Sequence, residues 1–443
     1  VRLSNKLLIP YSLPAIPLAM LLTSIIIYLP AFYSKQLGIS LSSLGVVLFL
    51  CRLWDGLIDP IVGRASDKYR FHFGRRKTWL MAFAPLLMLG IYLVCQPPKG
   101  AGIIYVFFSL VFFYVAYTAV RIPYISWGAE LSQNYKERNR ISGYREFGSM
   151  IGIFLSVAAP YFLLGGDNAP IDKIMQVFTI VLLVLLPLTV IITSLTVKDV
   201  SPATTSEKSF WHECRVIARN RPYMRILTAQ AILFTGTYIY NACLVFLVEN
   251  AMGLPGKFLS LILIEYVAMM LFVPVVIWLA GRFSKHHVMA LGIFLQMGSH
   301  AIMATMQPGQ YWQAAAAFSL IGFALASWYI IPTSLIADTV DYGKMRGGED
   351  SAGFYMALFN FVDKAALAVA ALIALPLLDW LGFQANGNNS ASALTSLRAV
   401  GAVLPLGIIL IAALIYWRYP ITSRKHDIIL RANARRLKVD RVA

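Results

Sequence analysis

The chain has 443 residues, of which 58% are hydrophobic and 13% charged, and it carries a formal net charge of +17. Soluble domains carry roughly 25% charged residues, and a mean hydropathy of +0.68 leaves too little polar surface for a water-soluble fold of this length. Composition therefore excludes a soluble globular protein and predicts an all-α polytopic membrane protein.

Apolar stretches of about 20 residues, long enough to cross about 30 Å of hydrocarbon, recur from end to end. Twelve spans are predicted, at about 8–33, 40–64, 78–96, 102–128, 145–165, 174–196, 223–250, 257–280, 287–306, 311–337, 351–379 and 396–419. The first, LLIPYSLPAIPLAMLLTSIIIYLP, is too long for a signal-peptide core and shows no cleavage site. Its Pro10, Pro14, Pro17 and Pro30 can kink a span whose freed carbonyls are satisfied by neighbouring helices or water. After the second span come Lys68, Arg70, Arg75, Arg76 and Lys77, and after the fourth Lys136, Arg138 and Arg140. The segment after the sixth holds Lys198, Lys208, Arg215, Arg219 and Arg221, and the tail holds Arg424, Lys425, Arg431, Arg435, Arg436, Lys438 and Arg441. The intervening loops show only Lys35, Lys99, Lys173 and Lys257. By the positive-inside rule both termini and the middle segment are expected in the cytoplasm, as for a bacterial inner-membrane protein. The positive charge thus reflects topology and attraction to anionic membrane lipids, with no nucleic-acid partner expected.

The polar stretch VKDVSPATTSEKSFWHECRVIARNRP, 197–222, separates two groups of six spans. The expected organisation is an N-terminal half (1–196), a cytoplasmic linker (197–222), a C-terminal half (223–420) and a basic tail (421–443). The linker is either a solvated connector or an amphipathic helix through Trp211 and Val216. Two such halves read as a transporter with its site near the midplane between them. The four cysteines lack CxxC spacing and the six histidines form no ligand pattern, so neither a disulfide framework nor a zinc site is expected. Neither HExxH nor GxSxG occurs, and no enzymatic activity is expected.

Charges inside the spans carry the chemistry. In CRLWDGLIDPIVGRASDKYRFHFGRRK, Asp55 and Asp59 stand four apart and share a helix face, with Arg52 beside it. Each charge near the bilayer centre costs about 2.5–3.5 kcal/mol on insertion scales, and like charges this close disfavour one another unless a cation lies between them. The pair can hold a metal ion, a proton or an arginine; a structural Arg52–Asp pair that locks helices is the alternative. Arg121, Glu265, Asp363 and Lys364 also lie in spans, and Arg145 lies at a span entrance. Arg52, Arg121 and Lys364 balance Asp55, Asp59 and Asp363 in a network that stays near neutral. Glu265 is either part of it or a carboxylate near a span end. Asp363 and Lys364 point about 100° apart, and Lys364 is assigned to the centre. In GRASDKYRFHFGRRK, Gly63 would permit close helix approach and Asp67 would bond a helix terminus. Gly74, Arg75 and Arg76 complete a gating loop whose arginines bridge to opposite carboxylates, a latch made in one state and broken in another. A related cluster, ADTVDYGKMRGGED with Asp338 and Asp341, is placed between the tenth and eleventh spans.

RLWDGLIDPIVGRASD resembles the second-helix signature of the glycoside–pentoside–hexuronide:cation symporters of the major facilitator superfamily. GRRKTW, RIPYISW, GYREFG, ADTVDYG and Lys364 follow in family order, from about residue 28 to 364. The resemblance implies a small-molecule substrate and no cofactor beyond a coupling ion, H+ or Na+, at Asp55, Asp59 and Thr118. It also assigns Arg145 and Lys364 to the polar network linking cation, substrate and halves; the expected unit is a monomer. Two departures matter. Ile58 stands where melibiose permease has an amide, removing one oxygen ligand and favouring a proton over sodium. Ala19 and Arg121 stand where that permease has its two sugar-binding acids, so Arg121 suits an acidic substrate better than a galactoside. Alternatively Arg121 neutralises Asp55 or Asp59, or the apolar first helix favours an amphipathic substrate such as a lysolipid, as in distant animal relatives.

Overall fold

The computed structural model describes residues 3–68, 74–132, 135–199, 217–345, 352–387, 389–422, 425–426, 428–429 and 431–432. Asp67, whose side chain is not among the described ones, the 200–216 part of the linker with Trp211 and its proposed helix, and most of the basic tail lie outside this set.

Among the described residues, twelve helices are long and apolar enough to cross a membrane. They are α1 (Asn5–Leu37), α2 (Leu41–Lys68), α3 (Arg75–Cys95), α4 (Ile103–Glu130), α5 (Tyr135–Leu163) and α6 (Ile171–Thr196). After the linker come α7 (Arg221–Ala251), α8 (Phe258–Arg282), α9 (Lys285–Thr305), α10 (Tyr311–Met345), α11 (Ala352–Trp380) and α12 (Ala391–Trp417). The chain is an all-α integral membrane protein. α1 is interrupted at Leu13–Pro14, where a proline ring cannot continue the amide ladder. Asn220 caps α7, its Oδ1 accepting from the Tyr223 amide at 3.2 Å.

One difference from the sequence expectation is the length of α10. It continues through Asp338 and Asp341 to Met345, so both carboxylates sit on a helix and not in a connecting loop. Lys285 lies 2.7 Å from Asp338, and His426 lies 3.1 Å from Asp341. With the carboxylates satisfied, the helix runs on past the apolar stretch that composition marks.

α2 shows how the bilayer sorts one helix. Leu53, Trp54, Leu57 and Ile61 are exposed, whereas Arg52, Asp55, Ile58 and Val62 are buried. The outer stripe is apolar and the inner stripe carries the charges, the reverse of a soluble helix. The pairings of the first half, α1 with α5, α2 with α4 and α3 with α4 and α6, recur as α7 with α11, α8 with α10 and α9 with α10 and α12. Such repetition is the architecture of transporters built from repeats. Across the divide α2 packs on α11, α1 on α7 and α5 on α8.

The two ends of the bundle differ. At the end bearing the α1–α2 and α7–α8 turns, side chains bridge the halves. Lys35 pairs with Glu249, Asn386 donates to the Lys35 carbonyl at 2.8 Å, and Asp379 accepts from the Ser42 amide at 3.2 Å. Asp167 accepts from the Ser260 amide at 2.7 Å. A methyl group at Gly45 would lie 2.8 Å from the Ala371 carbonyl oxygen, so α2 and α11 touch backbone to backbone there. At the opposite end the described ties stay within one half. Arg75 and Arg76 both reach Glu130 at 2.6 Å, Arg76 also donates to Ser66 at 2.9 Å, and Lys285 and His426 hold Asp338 and Asp341. In this conformer the described carboxylate partner of Arg75 and Arg76, Glu130, belongs to their own half. The close approach expected at Gly63 is not there, because a methyl at that position would meet only Ile122 at an ordinary 3.9 Å.

Gly74 does have a structural reason. Its φ of +108° and ψ of 157° suit glycine alone, and a methyl would lie 2.4 Å from Asp199 Oδ2. That carboxylate caps α3, accepting from the amides of Arg76 at 2.8 Å and Lys77 at 3.3 Å. Gly74→Ala is expected to cost about 1–3 kcal/mol, read as a lowered Tm of the purified protein, and Asp199→Ala about 1 kcal/mol. An unchanged Tm for Gly74→Ala would contradict this account of the turn.

Candidate functional site

Asp55 and Asp59 project together from α2, and Pro60 behind them removes the amide that would have bonded the Gly56 carbonyl. Opposite, on α4, Thr118 Oγ1 lies 2.9 Å from Asp55 Oδ1 and 3.1 Å from Asp59 Oδ1. From α11, Lys364 Nζ lies 2.7 Å from Asp59 Oδ2 and 2.9 Å from Asp55 Oδ2. The second contact is an ion pair without hydrogen-bond geometry, since Asp55 Oδ2 has no hydrogen-bond partner. Arg52 Nη1 stands 3.7 Å from Asp55 Oδ2 with its guanidinium 4.5 Å from the Tyr114 ring centre, a cation–π seat that fixes it. Asp55 is fully buried, whereas the Asp59 side chain keeps a quarter of its surface accessible. Asp59 is the side from which the pair can be reached.

Asp363 turns away from Lys364 and accepts from Tyr238 of α7 at 2.6 Å, within electrostatic reach of Arg121, Arg52 and Lys364. Arg121 makes no ion pair with Asp55 or Asp59; its electrostatic neighbours are Tyr117 and Asp363. Arg145 pairs with Glu146 at 2.7 Å beside Tyr11. Glu265 is not brought to Arg52 or Asp363; it lies buried in α8. Tyr329 of α10 sits among Asp363, Glu146 and Glu265, and sequence reasoning missed it, as it missed Tyr238 and Tyr114. Nothing distinguishes these tyrosines from packing aromatics until their partners are placed. Ile58 packs with Val62, Trp79 and Ala119, so no oxygen replaces the missing amide from that position.

Above Arg52, toward the clamped end, lies a cavity of about 30 Å³ bounded by Ile25, Leu48, Tyr114, Tyr238 and Ala371. It has room for about one water and none for a solute. A cleft of about 410 Å³ opens at the α9–α10 turn around Gln307, Gln310 and Gln313, away from every charge of the cluster. The buried ions, and not that cleft, mark the site.

A family model described as MFS/sugar transport protein matches residues 10–423. The chain belongs to that family. Within the major facilitator superfamily it is a glycoside–pentoside–hexuronide-type member, and a transporter. This MFS/sugar transport protein is 23% identical over 434 residues to the glucuronide carrier protein homolog of Escherichia coli strain K12, covering 96% of this chain and 94% of that one. It is 23% identical over 426 residues to sodium-dependent lysophosphatidylcholine symporter 1 of Xenopus tropicalis, covering 86% and 80%. Among solved structures, the nucleoside transporter NupG superposes with a TM-score of 0.66 at 13% identity, covering 94% of this chain and 100% of that one. That likeness concerns the fold alone.

The bridges at the clamped end predict a conformational effect. Lys35 and Glu249 are each about a quarter exposed, so their pair is worth at most about 1 kcal/mol. Lys35→Ala is expected to raise the population open at that end by up to about fivefold, measured by spin-label distances between α1 and α7. No change in those distances would assign the clamp to Asp167, Asp379 and Asn386 alone.

Proposed function

We propose that this transporter is a cation-coupled symporter for a small polar or anionic solute such as a sugar, glycoside or sugar acid, with the proton favoured over sodium. One observation carries the reading: the ammonium of Lys364 lies between two carboxylates, where a coupling cation would have to sit. A mobile cation and Lys364 compete for the same oxygens. Loading the pair weakens the hold on Lys364, which then turns to an acidic group on the solute. Solute without cation leaves a charge unpaired in a low-dielectric centre, and reorientation in that state is disfavoured.

Thr118 supports the proton. Its single hydroxyl hydrogen cannot serve both carboxylates at once. A proton on one carboxyl completes the chain, that carboxyl donating to Thr118 and Thr118 donating to the other. Hard cations want several oxygens, and apolar Ile58 contributes none, whereas a proton needs one suitable carboxylate. The clamped end is read as periplasmic and the opposite end as cytoplasmic, which makes this conformer inward-facing, with both termini in the cytoplasm of a bacterial cell and the chain working as a monomer. The Escherichia coli relative is named for a glucuronide, an acidic glycoside, which supports Arg121 and Arg145 as its anchors.

The test is reconstitution in liposomes with a glucuronide, a neutral pentoside and a lysophospholipid as probes. The glucuronide is expected to drive proton entry, and Arg121→Leu to lower its uptake about 10–100-fold, the worth of a charged hydrogen bond of about 1.5–3 kcal/mol. Equal loss for the neutral pentoside would contradict the anionic assignment. A second reading, a lysolipid carrier, is favoured by the lysophosphatidylcholine symporter match and by the apolar walls beside Arg52. Transport of the lysophospholipid alone would establish it.

A further inference from the structure

A second group of ionisable and polar side chains lies wholly inside the C-terminal half, apart from the Asp55–Asp59 cluster. Glu265 on α8, Tyr240 on α7 and His300 on α9 are all at least nine-tenths buried. Glu265 Oε2, Tyr240 Oη and both ring nitrogens of His300 have no hydrogen-bond partner among the described residues. Ser299 Oγ and Gln296 Oε1, on α9 with His300, are unpartnered as well. These residues form one patch. The Tyr240 and His300 rings are 5.0 Å apart, Tyr240 and Glu265 interact electrostatically, and Gln296 Nε2 donates to Thr237, one turn before Tyr240, at 2.9 Å.

Buried polar atoms are almost always paired, so several orphans in one place need a cause. The groups around Glu265 are Tyr240 from α7, Tyr266 on its own helix and Tyr329 from α10. Beyond Tyr329 stand Asp363 of α11 and Glu146 of α5, beyond Tyr266 stands Tyr28 of α1, and beyond Tyr240 stands His300 of α9. No base among the described residues pairs with Glu265. A lone carboxylate in such surroundings is neutralised by a proton.

We propose that Glu265, five residues along α8 from the Ser260 amide that Asp167 ties at the clamped end, is a second proton-binding site, whose proton is held while that end is shut and exchanged when it opens. Resting on the symporter reading, this adds a proton-exchange step at the clamped end beside the coupling ion carried at Asp55 and Asp59. On opening, the carboxyl O–H gives its proton to entering water and leaves a carboxylate that Tyr240 can donate to. Before closure the carboxylate takes a proton back from water.

The test is infrared difference spectroscopy of the full-length protein in lipid, with the parent and Glu265→Gln subtracted so that the Asp55–Asp59 site cancels. A protonated-carboxyl C=O band at neutral pH is expected, lost in Glu265→Gln, shifted in Tyr240→Phe and weakened when Lys35→Ala opens the clamp. Spectra identical with and without Glu265→Gln, or a band unchanged in Lys35→Ala while spin-label distances show the clamp opened, would overturn the proposal. Tyr240→Phe keeps the carboxyl and serves if the glutamine variant does not fold. Failure here leaves the Asp55–Asp59 reading standing, and survival of uphill uptake in Asp59→Asn alone would overturn that reading without touching this one.

Discussion

Asp59→Asn is expected to abolish accumulation of solute against its gradient while leaving downhill exchange within about tenfold of the parent. The charge count gives the reason. Arg52 and Lys364 balance Asp55 and Asp59 in the buried group. An amide at position 59 has the charge of a permanently protonated Asp59, so the cluster stays in its cation-loaded state and gradients no longer act on it. Asp59 is the more accessible carboxylate, so the structural penalty is smaller there. Asp55→Asn strips the fully buried partner from both Arg52 and Lys364. Breaking a buried pair costs about 3–5 kcal/mol, enough to lower Tm as well as uptake. Counterflow and active uptake in the same vesicles separate the two variants.

Lys364→Ala is expected to do the opposite to the ion. With the tethered ammonium gone, two carboxylates 2.9 and 3.1 Å from one hydroxyl face a single guanidinium at 3.7 Å. A coupling cation then binds without displacing anything, at least about tenfold more tightly, which corresponds to ~1.4 kcal/mol. Uptake of an acidic solute falls in parallel, because the unloaded carrier must return with an uncompensated negative charge. Calorimetric titration with sodium and proton release on binding measure the first effect. Unchanged ion affinity would mean that Lys364 and the cation do not share a site.

The acidic pair was legible because helix geometry fixes what four residues of separation mean, and because lipid makes any buried carboxylate conspicuous. The twelve spans were legible for the same reason, to within about five residues except at the start of α5, which begins at Tyr135, and at the end of α10. At the end of α10 polarity in ADTVDYG reads as a break, whereas the carboxylates find partners in Lys285 of α9 and His426 of the tail. Contacts across the chain were not legible. Lys364 meets Asp59 across 305 positions of sequence; charge balance puts it in the network, but not between the two carboxylates. Glu130 and Asp199, which seat Arg75, Arg76 and the start of α3, look like ordinary loop-side acids in a sequence. The bridges Lys35–Glu249 and Asp167–Ser260 depend on how two halves meet, which no local pattern encodes.

The most direct test of the central claim is ion movement driven by solute in sealed proteoliposomes with no gradient imposed. A glucuronide added outside should draw protons inward, or sodium if sodium is the coupling ion, and Asp59→Asn should silence the ion signal while solute still equilibrates. Solute entry with no accompanying ion, identical in the parent and Asp59→Asn, would contradict the account and leave the Asp55, Asp59 and Lys364 cluster as architecture.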